Sequence, residues 1–322
     1  MNRRKLFRLM IPVVAVASLA MTSCAGTPGN DASGTPGKTV TIHIPLTKDI
    51  SSLDVLVAKD QGYFESRGLD VQVEFVNDSS NLPQVTGRQY EITGVSAATL
   101  INSVASGLSL VAVTGNRVDT PENPTAGIVV PAGSPITSVG DLAGKTVGTP
   151  SVAGTLAFAT QYGISQAGGD YASMRLVQAP APQLVDLLKA GRFDAVLALE
   201  PARTALVNAG FVDVGDPFRA LGDSVASAIN ISTPEWVQAN PEALASFRAA
   251  LADADEYIAH NPDKAKELLV SEAGLDKDGV AALKVPQFVS ELPDGTMSMW
   301  VDVMKEVGVL TADVDVDALT AK

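Results

Sequence analysis

The chain has 322 residues, of which 46% are hydrophobic, so it can bury one large core or two medium ones. Its formal charge of −13 argues against nucleic-acid binding and against a polybasic hold on anionic lipid, and its single cysteine excludes an intramolecular disulfide. The two histidines, His43 and His260, lie far apart with no cysteine or carboxylate cluster beside them, so we expect neither a metal site nor a cofactor.

The N-terminus has the pattern of a secretory signal. Four basic residues precede an apolar run at 9–21, which is shorter than the ~20 residues that a bilayer-spanning helix needs. The run ends near Cys24, the only cysteine, at the place where lipoprotein processing would make it the first residue of the mature protein. We therefore expect a signal peptide at 1–23, a lipid on Cys24 and a location on the outer face of the cell membrane. An ordinary signal peptide beside a free cysteine is the alternative.

A flexible tether is predicted at 24–38, where small and polar residues show no apolar period. Beyond it, short β-rich runs alternate with helical stretches, as in an α/β protein with mostly parallel sheets. The predicted strands are 39–45, 70–76, 91–94, 109–114, 127–131, 146–148, 175–178, 195–199 and 227–232. The clearest predicted helices are 53–60, 97–106, 156–166, 183–190 and 202–209.

An internal echo indicates two similar units. The sequences GRQYEI at 87–92 and GRFDA at 191–195 both read as a helix end, a glycine, an arginine, an aromatic residue, an acidic residue and a strand. A glycine that closes a helix in the left-handed conformation gives this pattern a mechanical basis. We therefore predict two lobes, the first formed by 39–125 with 226–322 and the second by 126–225. The loop at 121–124 precedes the strand that we predict to be the first hinge crossing between them.

The C-terminal third is predicted to be helical and to pack back on the first lobe. Pro234, Pro241 and Pro262 each stand where a helix can begin, because proline suits the first helical turn. Farther along, apolar side chains recur at helical spacing, which is typical of core packing. They are Met297, Trp300, Met304 and Val307.

Small polar residues mark several predicted strand-to-helix turns, at the edge of a sheet where the N–H groups of helix N-termini are free to bind a ligand. The candidate ligand-binding residues are Ser51, Ser52, Leu53, Ser96, Ala97, Ala98, Asn116, Gly154, Thr155 and Glu200. We favour a binding role for Ser96, Gly154 and Thr155 together, because they fall at matching ends of both lobes. Asn116 follows the fourth predicted strand and is expected to line the cleft.

Most of these turns also have a purely structural interpretation. Ser51 or Ser52 is a natural N-cap, as is Ser96, and such caps stabilise a helix by about 1 kcal/mol each. Glu200 either caps a helix that begins with proline or accepts a hydrogen bond from an amine, amidine or hydroxyl of a ligand. Arg117 is either a solvated surface charge or the partner of a sulfonate or carboxylate. These alternatives stay open at this point.

Motifs that carry catalysis are missing from the sequence. It has no Gly-x-Ser-x-Gly elbow, no phosphate-binding Gly-x-x-x-x-Gly-Lys-Ser and no paired carboxylates near a histidine. We therefore expect a binding protein that performs no chemistry.

Several motifs, in one order, resemble the substrate-binding proteins of nitrate, sulfonate and taurine transporters, a family that also includes binders of thiamine precursors. The resemblance runs from about residue 39 to near the C-terminus. Its motifs are VLVAKDQGYF at 55–64, GLDV at 68–71, ITGVSAA at 92–98, SGL at 106–108, DLAGKTVG at 141–148, DA at 194–195 and EP at 200–201.

This resemblance implies a two-lobed type II periplasmic-binding fold, with two hinge crossings and a cleft that closes on one small molecule. It implies delivery of that molecule to the permease of an ABC transporter, which works with its own ATPase, and we expect a monomer anchored by its lipid. The family grips its ligand through the turns that here hold 51–53, 96–98, 154–155 and Glu200.

The class of ligand stays open in the sequence. Sulfonate binders often open the second-lobe helix with Gly-Ser or Gly-Ser-Thr, whereas this chain has AGT at 153–155. Aromatic residues are absent from the turns, which argues against a sandwich around a thiamine pyrimidine unless Tyr63, Phe158 or Tyr162 supplies one. We expect a binder of a sulfonate, taurine or nitrate-like solute. A binder of a thiamine-pyrimidine-like or other heterocycle, and an enzyme on the same fold, are the alternatives.

Overall fold

The computed structural model describes residues 39–77 and 79–321, except for the side chains of residues 181 and 182. The predicted signal peptide, the tether and the lipidated Cys24 lie outside the described residues. Within them, no helix combines the length and the apolar character that crossing a membrane would require.

The chain alternates strands and helices up to residue 232 and is mainly helical afterwards. The strands are β1 (Val40–Thr47), β2 (Leu69–Val76), β3 (Thr93–Ser96), β4 (Val111–Asp119), β5 (Ala126–Val130), β6 (Thr146–Thr149), β7 (Arg175–Gln178), β8 (Ala195–Leu199), β9 (Val212–Asp213), β10 (Val225–Ser232) and β11 (Gln287–Phe288). The helices are α1 (Leu53–Asp60), α2 (Leu82–Val85), α3 (Ala97–Ala105), α4 (Thr155–Gln166), α5 (Ala181–Lys189), α6 (Ala202–Asn208), α7 (Pro234–Ala239), α8 (Pro241–His260), α9 (Pro262–Ser271), α10 (Lys277–Ala282) and α11 (Thr296–Glu306).

Two larger sheets organise these elements, beside a parallel pair formed by β1 and β2. One sheet has the order β11-β4-β10-β3, and its neighbouring strands are antiparallel. The other has the order β7-β6-β8-β5-β9, in which β5 runs against its two neighbours and the remaining strands share one direction. The chain crosses from the first sheet to the second between β4 and β5 and returns between β9 and β10.

The first strand after each crossing explains where the sheets depart from the predicted parallel arrangement. β5 and β10 are the first strands after each crossing, and both lie antiparallel beside strands that run the other way. The five-stranded sheet is therefore mostly parallel, as predicted. The four-stranded sheet is antiparallel, so the predicted mostly parallel arrangement is wrong there, because β10 inserts between β3 and β4 and β11 adds at the far side of β4.

The strand β4 extends farther than the sequence predicts. The prediction ends at residue 114, because the following GNRVD has the composition of a turn, but the strand continues to Asp119 and is buried throughout. Backbone pairing with β10 holds this polar segment in the sheet. Asn116 and Arg117 therefore lie within the strand, where the sequence had placed them after its end.

The repeated glycines have the conformation that the echo predicts. Gly87 and Gly191 adopt φ angles of +76° and +66°, in the left-handed region that favours glycine. Each follows a helix, α2 or α5, and precedes a strand, β3 or β8. A Cβ atom at Gly87 would also lie 2.4 Å from Cγ2 of Thr233, so this position has no room for a side chain.

The C-terminal helices pack in two places. Helices α8 and α9 cover α1 and share an apolar core with β1 and β2, in which Phe64 stacks on Phe247 at 5.3 Å between ring centroids. Helix α11 contacts α3, which belongs to the predicted first lobe, and also α4, which belongs to the predicted second lobe. The second contact was not predicted. Glu306 of α11 accepts hydrogen bonds from Ser165 Oγ (3.1 Å) and Gln166 Nε2 (2.8 Å) at the end of α4.

Trp300 anchors α11 in the core. It is fully buried, its indole N–H donates to the Ala226 carbonyl at 2.8 Å, and its ring meets Phe218 edge-on at 6.2 Å. We expect Trp300→Ala to lower the free energy of unfolding by about 3–5 kcal/mol, through lost burial and a cavity. Trp300→Phe, which keeps most of the volume but removes the donor, should lower it by about 1–3 kcal/mol.

Urea denaturation measures both changes. Ser298→Ala, on the exposed side of the same helix, is the control and should stay within about 0.5 kcal/mol of the wild type. A Trp300→Phe protein as stable as the wild type would contradict the role assigned to the indole hydrogen bond.

Candidate ligand-binding site

The carboxyl ends of four strands carry the predicted site residues. Strands β1 and β3 lead into α1 and α3, whereas β6 and β8, in the five-stranded sheet, lead into α4 and α6. Each connection brings the N-terminus of a helix to the end of a strand, where first-turn N–H groups have no partner within the helix. The candidate site comprises these turns and the buried end of β4.

The turn before α1 is held by its own polar side chains. Asp49 Oδ1 accepts a hydrogen bond from the Ser51 N–H at 2.7 Å, and the Ser52 hydroxyl donates to the Thr47 carbonyl. Ser52 and Leu53 are fully buried, so they stabilise the turn and its packing. Ser51 is half-buried, and its Oγ accepts a hydrogen bond from Nη1 of Arg117.

The N-terminus of α3 has a capped end with two small residues. Ser96 Oγ accepts from the Thr99 N–H at 3.1 Å and shares a hydrogen bond of 2.8 Å with the Thr99 hydroxyl. This confirms the predicted N-cap. Ala97 and Ala98 are buried and can offer a ligand only their backbone N–H groups.

The N-terminus of α4 lacks a side-chain cap, because Gly154 occupies the N-cap position. Thr155, the first helical residue, is 7% exposed, and its hydroxyl makes no hydrogen bond to any residue that the structure describes. The N–H groups of this first turn also have no hydrogen-bond acceptor within the helix. Of the four turns, this one keeps the most unused donors.

The carboxylate of Glu200 accepts hydrogen bonds from the first turn of the helix that follows it, α6. Its Oε1 accepts from Arg203 Nη1 at 3.1 Å and from the Thr204 hydroxyl at 3.0 Å, while Oε2 accepts from the Thr204 N–H at 3.1 Å. Arg203 continues to Asp213 Oδ2 at 2.6 Å. The geometry therefore favours the capping interpretation of Glu200. A cavity of about 200 Å³ lies beside it, between α6 and residues 282–284.

Arg117 is a buried cation at the carboxyl edge of the first sheet. It is 7% exposed, and among residues 39–77 and 79–321 no carboxylate oxygen lies within 4.0 Å of its guanidinium. Its Nη1 donates to Ser51 Oγ and lies 3.5 Å from Asn116 Oδ1, whereas Nε is buried without a hydrogen-bond partner. The interpretation of Arg117 as a solvated surface charge is therefore wrong.

The buried carboxyl of Asp54 interacts with this cation, and the carboxyl of Asp255 interacts in turn with Asp54; the sequence indicates neither contact. Burial raises the pKa of Asp54 from 3.8 to about 7, against hydrogen bonds from Val55 and Asn116 and the charge of Arg117. Burial, followed by the charge of the nearby Asp54, raises the pKa of Asp255 from 3.8 to about 8, against hydrogen bonds from Ser290. In the sequence, Asp54 resembles an ordinary acidic residue in the first turn of a helix. No local pattern indicates that it lies near Asp255 on α8.

The aromatic residues considered for a sandwich lie in the cores. Phe158 is buried within α4 and Tyr162 packs against the same apolar core. Tyr63 packs against the core beneath α8, where burial and then Asp253 raise its pKa. The histidines are also engaged elsewhere: His43 Nδ1 pairs with Glu91 Oε2 at 3.0 Å, and His260 Nδ1 lies 2.8 Å from the Glu256 carbonyl.

The raised pKa of Asp255 predicts a pH dependence of stability. Because its pKa is higher in the folded than in the unfolded protein, the stabilisation is complete below about pH 4 and is lost as the pH rises to about 8. Asp255→Asn cannot ionise, so its melting temperature relative to the wild type should rise over this range. Calorimetry at a series of pH values measures the difference. Asp302→Asn, at an exposed position, is the control, and parallel profiles for Asp255→Asn and the wild type would contradict the prediction.

Comparison with known proteins places this geometry in a family. Residues 50–265 match the family described as "NMT1/THI5 like". A curated relative, the formylaminopyrimidine-binding protein of Halalkalibacterium halodurans, is 25% identical over 283 residues, which cover 83% of this chain and 79% of the relative.

Solved structures show the fold. The periplasmic aliphatic sulphonate binding protein SsuA from Escherichia coli superposes with a TM-score of 0.75 at 17% identity, covering 88% of this chain and 92% of that one. The periplasmic nitrate-binding protein NrtA from Synechocystis PCC 6803 gives 0.69 at 14% identity, with 88% and 85% covered. The predicted two-lobed type II periplasmic-binding fold is thereby confirmed, and the match over most of the chain shows that this protein belongs to the NMT1/THI5-like family.

Proposed function

We propose that this protein is the extracytoplasmic solute-binding component of an ATP-driven importer. It captures one small solute in the cleft between a lobe formed by 39–125 with 226–322 and a lobe formed by 126–225. The closed cleft is then presented to the permease, which works with its ATPase. Closure follows from contacts that only the shut state makes from both lobes, so affinity and closure are coupled.

The buried guanidinium of Arg117 carries the proposal for the class of solute. Burial of a cation without a neighbouring carboxylate is energetically unfavourable, and a bound anion offsets this cost. Arg117 has an unused buried Nε, and Ser51, which accepts from Nη1, keeps its own hydroxyl hydrogen for a ligand. The solute is therefore a small molecule with an anionic oxygen group, such as a sulfonate, a carboxylate or nitrate.

Free N–H groups at two helix N-termini support this choice. The first turns of α3 and α4 follow strands of the two different sheets, and we infer that both face the cleft; α4 leaves the Thr155 hydroxyl unbonded and its first N–H groups without partners in the helix. Such groups favour anionic oxygens through hydrogen bonds and the helix dipole. We propose that Ser51 and Arg117 hold one side of the solute, with Asn116 orienting Arg117 from behind, and that Gly154 with Thr155 hold the other.

A heterocyclic solute is the second candidate. The curated relative is named for binding formylaminopyrimidine, and that name is the observation in favour. The positions of Tyr63, Phe158 and Tyr162 in the apolar cores argue against stacking by these rings. We rank the anionic solute first for this reason.

Transport without chemistry is the simplest use of this site. The compared proteins are named as binding proteins, and both histidines are bound to groups outside the turns of the site. Recovery of an unaltered ligand after prolonged incubation would agree with this, whereas a converted one would favour an enzyme on the same fold.

Removal of the cation tests the solute class. A thermal-shift screen with taurine, ethanesulfonate, nitrate and formylaminopyrimidine is expected to give the largest stabilisation with one of the anions or taurine. A solute at 100 times its Kd adds about 2.7 kcal/mol. Arg117→Gln should abolish that shift, because it removes the charge and keeps only part of the side chain.

The controls separate binding from folding. Arg88→Gln changes an exposed arginine and should leave the shift unchanged. Ser51→Ala, which removes one oxygen, should weaken the shift without a large change in the melting temperature of the free protein. An unchanged shift in a well-folded Arg117→Gln protein would contradict the proposal, and stabilisation by formylaminopyrimidine alone would favour the second candidate.

We also propose that Cys24 is lipidated after removal of 1–23 and that the protein acts as a tethered monomer. Cys24→Ala should prevent lipidation and release the protein from the membrane fraction, because the lipid is its anchor. Fractionation of cells that express the two forms, with immunoblotting, measures the distribution. Equal retention of both forms in membranes would contradict the anchor.

A further inference from the structure

We propose that Asp54 is a positioning residue of this site: it holds the Asn116 amide beside Arg117, and its charge makes the capture of an anionic solute weaker as the pH rises. The inference rests on the proposed function, because it takes the solute to be an anion at Arg117. Asp54 lies on α1 and is 1% exposed, and we assign it no direct contact with the solute.

Hydrogen bonds fix the orientation of Asn116. Its Nδ2 donates to the Ser51 carbonyl and to Asp54 Oδ2, both at 3.0 Å, so both amide hydrogens have acceptors. The other carboxyl oxygen, Asp54 Oδ1, accepts from the Val55 N–H at 2.8 Å. Asn116 Oδ1 is thereby directed toward Arg117, whose Nη1 lies 3.5 Å away. Asp54 thus acts on the cation through one intervening amide.

Three elements pack their polar groups around this carboxyl. Arg117 on β4 favours its charged form, whereas Asp255 on α8 repels it. Ser290, from the segment after β11, binds Asp255 through its backbone and its hydroxyl. Asp255 Oδ1 is nevertheless buried without a hydrogen-bond partner. The pair of carboxyls is therefore poorly suited to carrying two negative charges.

Other cations on the packed helices are engaged elsewhere. On α8, Arg248 Nε donates to the Val113 carbonyl at 2.7 Å; on α9, Lys266 Nζ donates to the Leu283 carbonyl at 3.2 Å. Lys59, on α1 itself, donates to the Val71 carbonyl at 2.7 Å. Among the acidic groups of α8, Asp253 pairs with Arg67 at 2.5 Å. Arg117 is thus the cation that acts on Asp54, and an anion bound to it competes with that carboxylate.

The sign of the pH effect follows from this competition. Below about pH 7 the Asp54 carboxyl is protonated, and the positive charge of Arg117 is available to an anion. At higher pH the ionised carboxyl repels the anion, and a bound anion in turn raises the pKa of Asp54, so binding takes up a proton. For charges about 10 Å apart at an effective dielectric constant of about 20, the loss of affinity between acidic and alkaline pH is on the order of tenfold.

Calorimetric titration with ethanesulfonate from about pH 5.5 to about pH 9 tests this in the whole exported chain. We expect the affinity of the wild type to fall about tenfold across this range. Asp54→Asn keeps an oxygen for Asn116 Nδ2 and cannot ionise. It should keep the acidic-limit affinity of the wild type with a much shallower profile, in which the more distant Asp255 is the remaining carboxyl that ionises. Asp60→Asn, an exposed aspartate on the same helix, should keep the wild-type slope.

A second readout needs no ligand. In the free protein, the NMR signals of the Asn116 side-chain amide should shift with the same midpoint as the Asp54 carboxyl, and this shift should vanish in Asp54→Asn. Two results would overturn the inference. One is a uniform change of affinity in Asp54→Asn that keeps the wild-type slope of affinity against pH. The other is a set of Asn116 amide signals that do not shift with pH. If neither ethanesulfonate nor nitrate nor taurine binds at any pH, the anionic solute class fails, and the Asn116 signals alone still decide the coupling to Asp54.

Discussion

The pairing of β10 with β4 is the constraint on which the site depends. The polar stretch that ends β4 would form a surface turn if it were left in water, but the returning strand β10 pairs with it as far as Asp119. This pairing carries Asn116 and Arg117 into the interior, at the edge where β1 and β3 also end. A cation that is ordinary in a solvated turn thereby becomes a buried charge, which an anion can compensate.

The acidic character of the whole chain makes this local arrangement more significant. A formal charge of −13 repels small anions at long range, so capture must come from groups at short distance in a shielded cleft. One guanidinium, a serine hydroxyl and the N–H groups of two helix N-termini provide such groups. In the proposed site, Asp54 sets the strength of the positive charge at Arg117, and its neighbour Asp255 connects that site to α8 and to the segment after β11.

Local patterns in the sequence predicted the turns but not the buried charges. The caps at Ser96 and the glycine turn at Gly191 leave signals within a few residues, because helix ends and left-handed glycines have strong preferences. The burial of Arg117 depends on strand pairing across the chain, and the proximity of Asp54 to Asp255 depends on the packing of α8 on α1. No local pattern reports contacts of that kind, so the extent of β4 was underestimated and the carboxyl pair was missed.

A crystal structure of the exported chain with bound ethanesulfonate is the most direct test of the central claim. We expect a sulfonate oxygen within hydrogen-bond distance of the Arg117 guanidinium, with further oxygens facing the N–H groups at the start of α4. A solute seated in the cleft away from Arg117, with its guanidinium still bound only to Ser51 and Asn116, would contradict it.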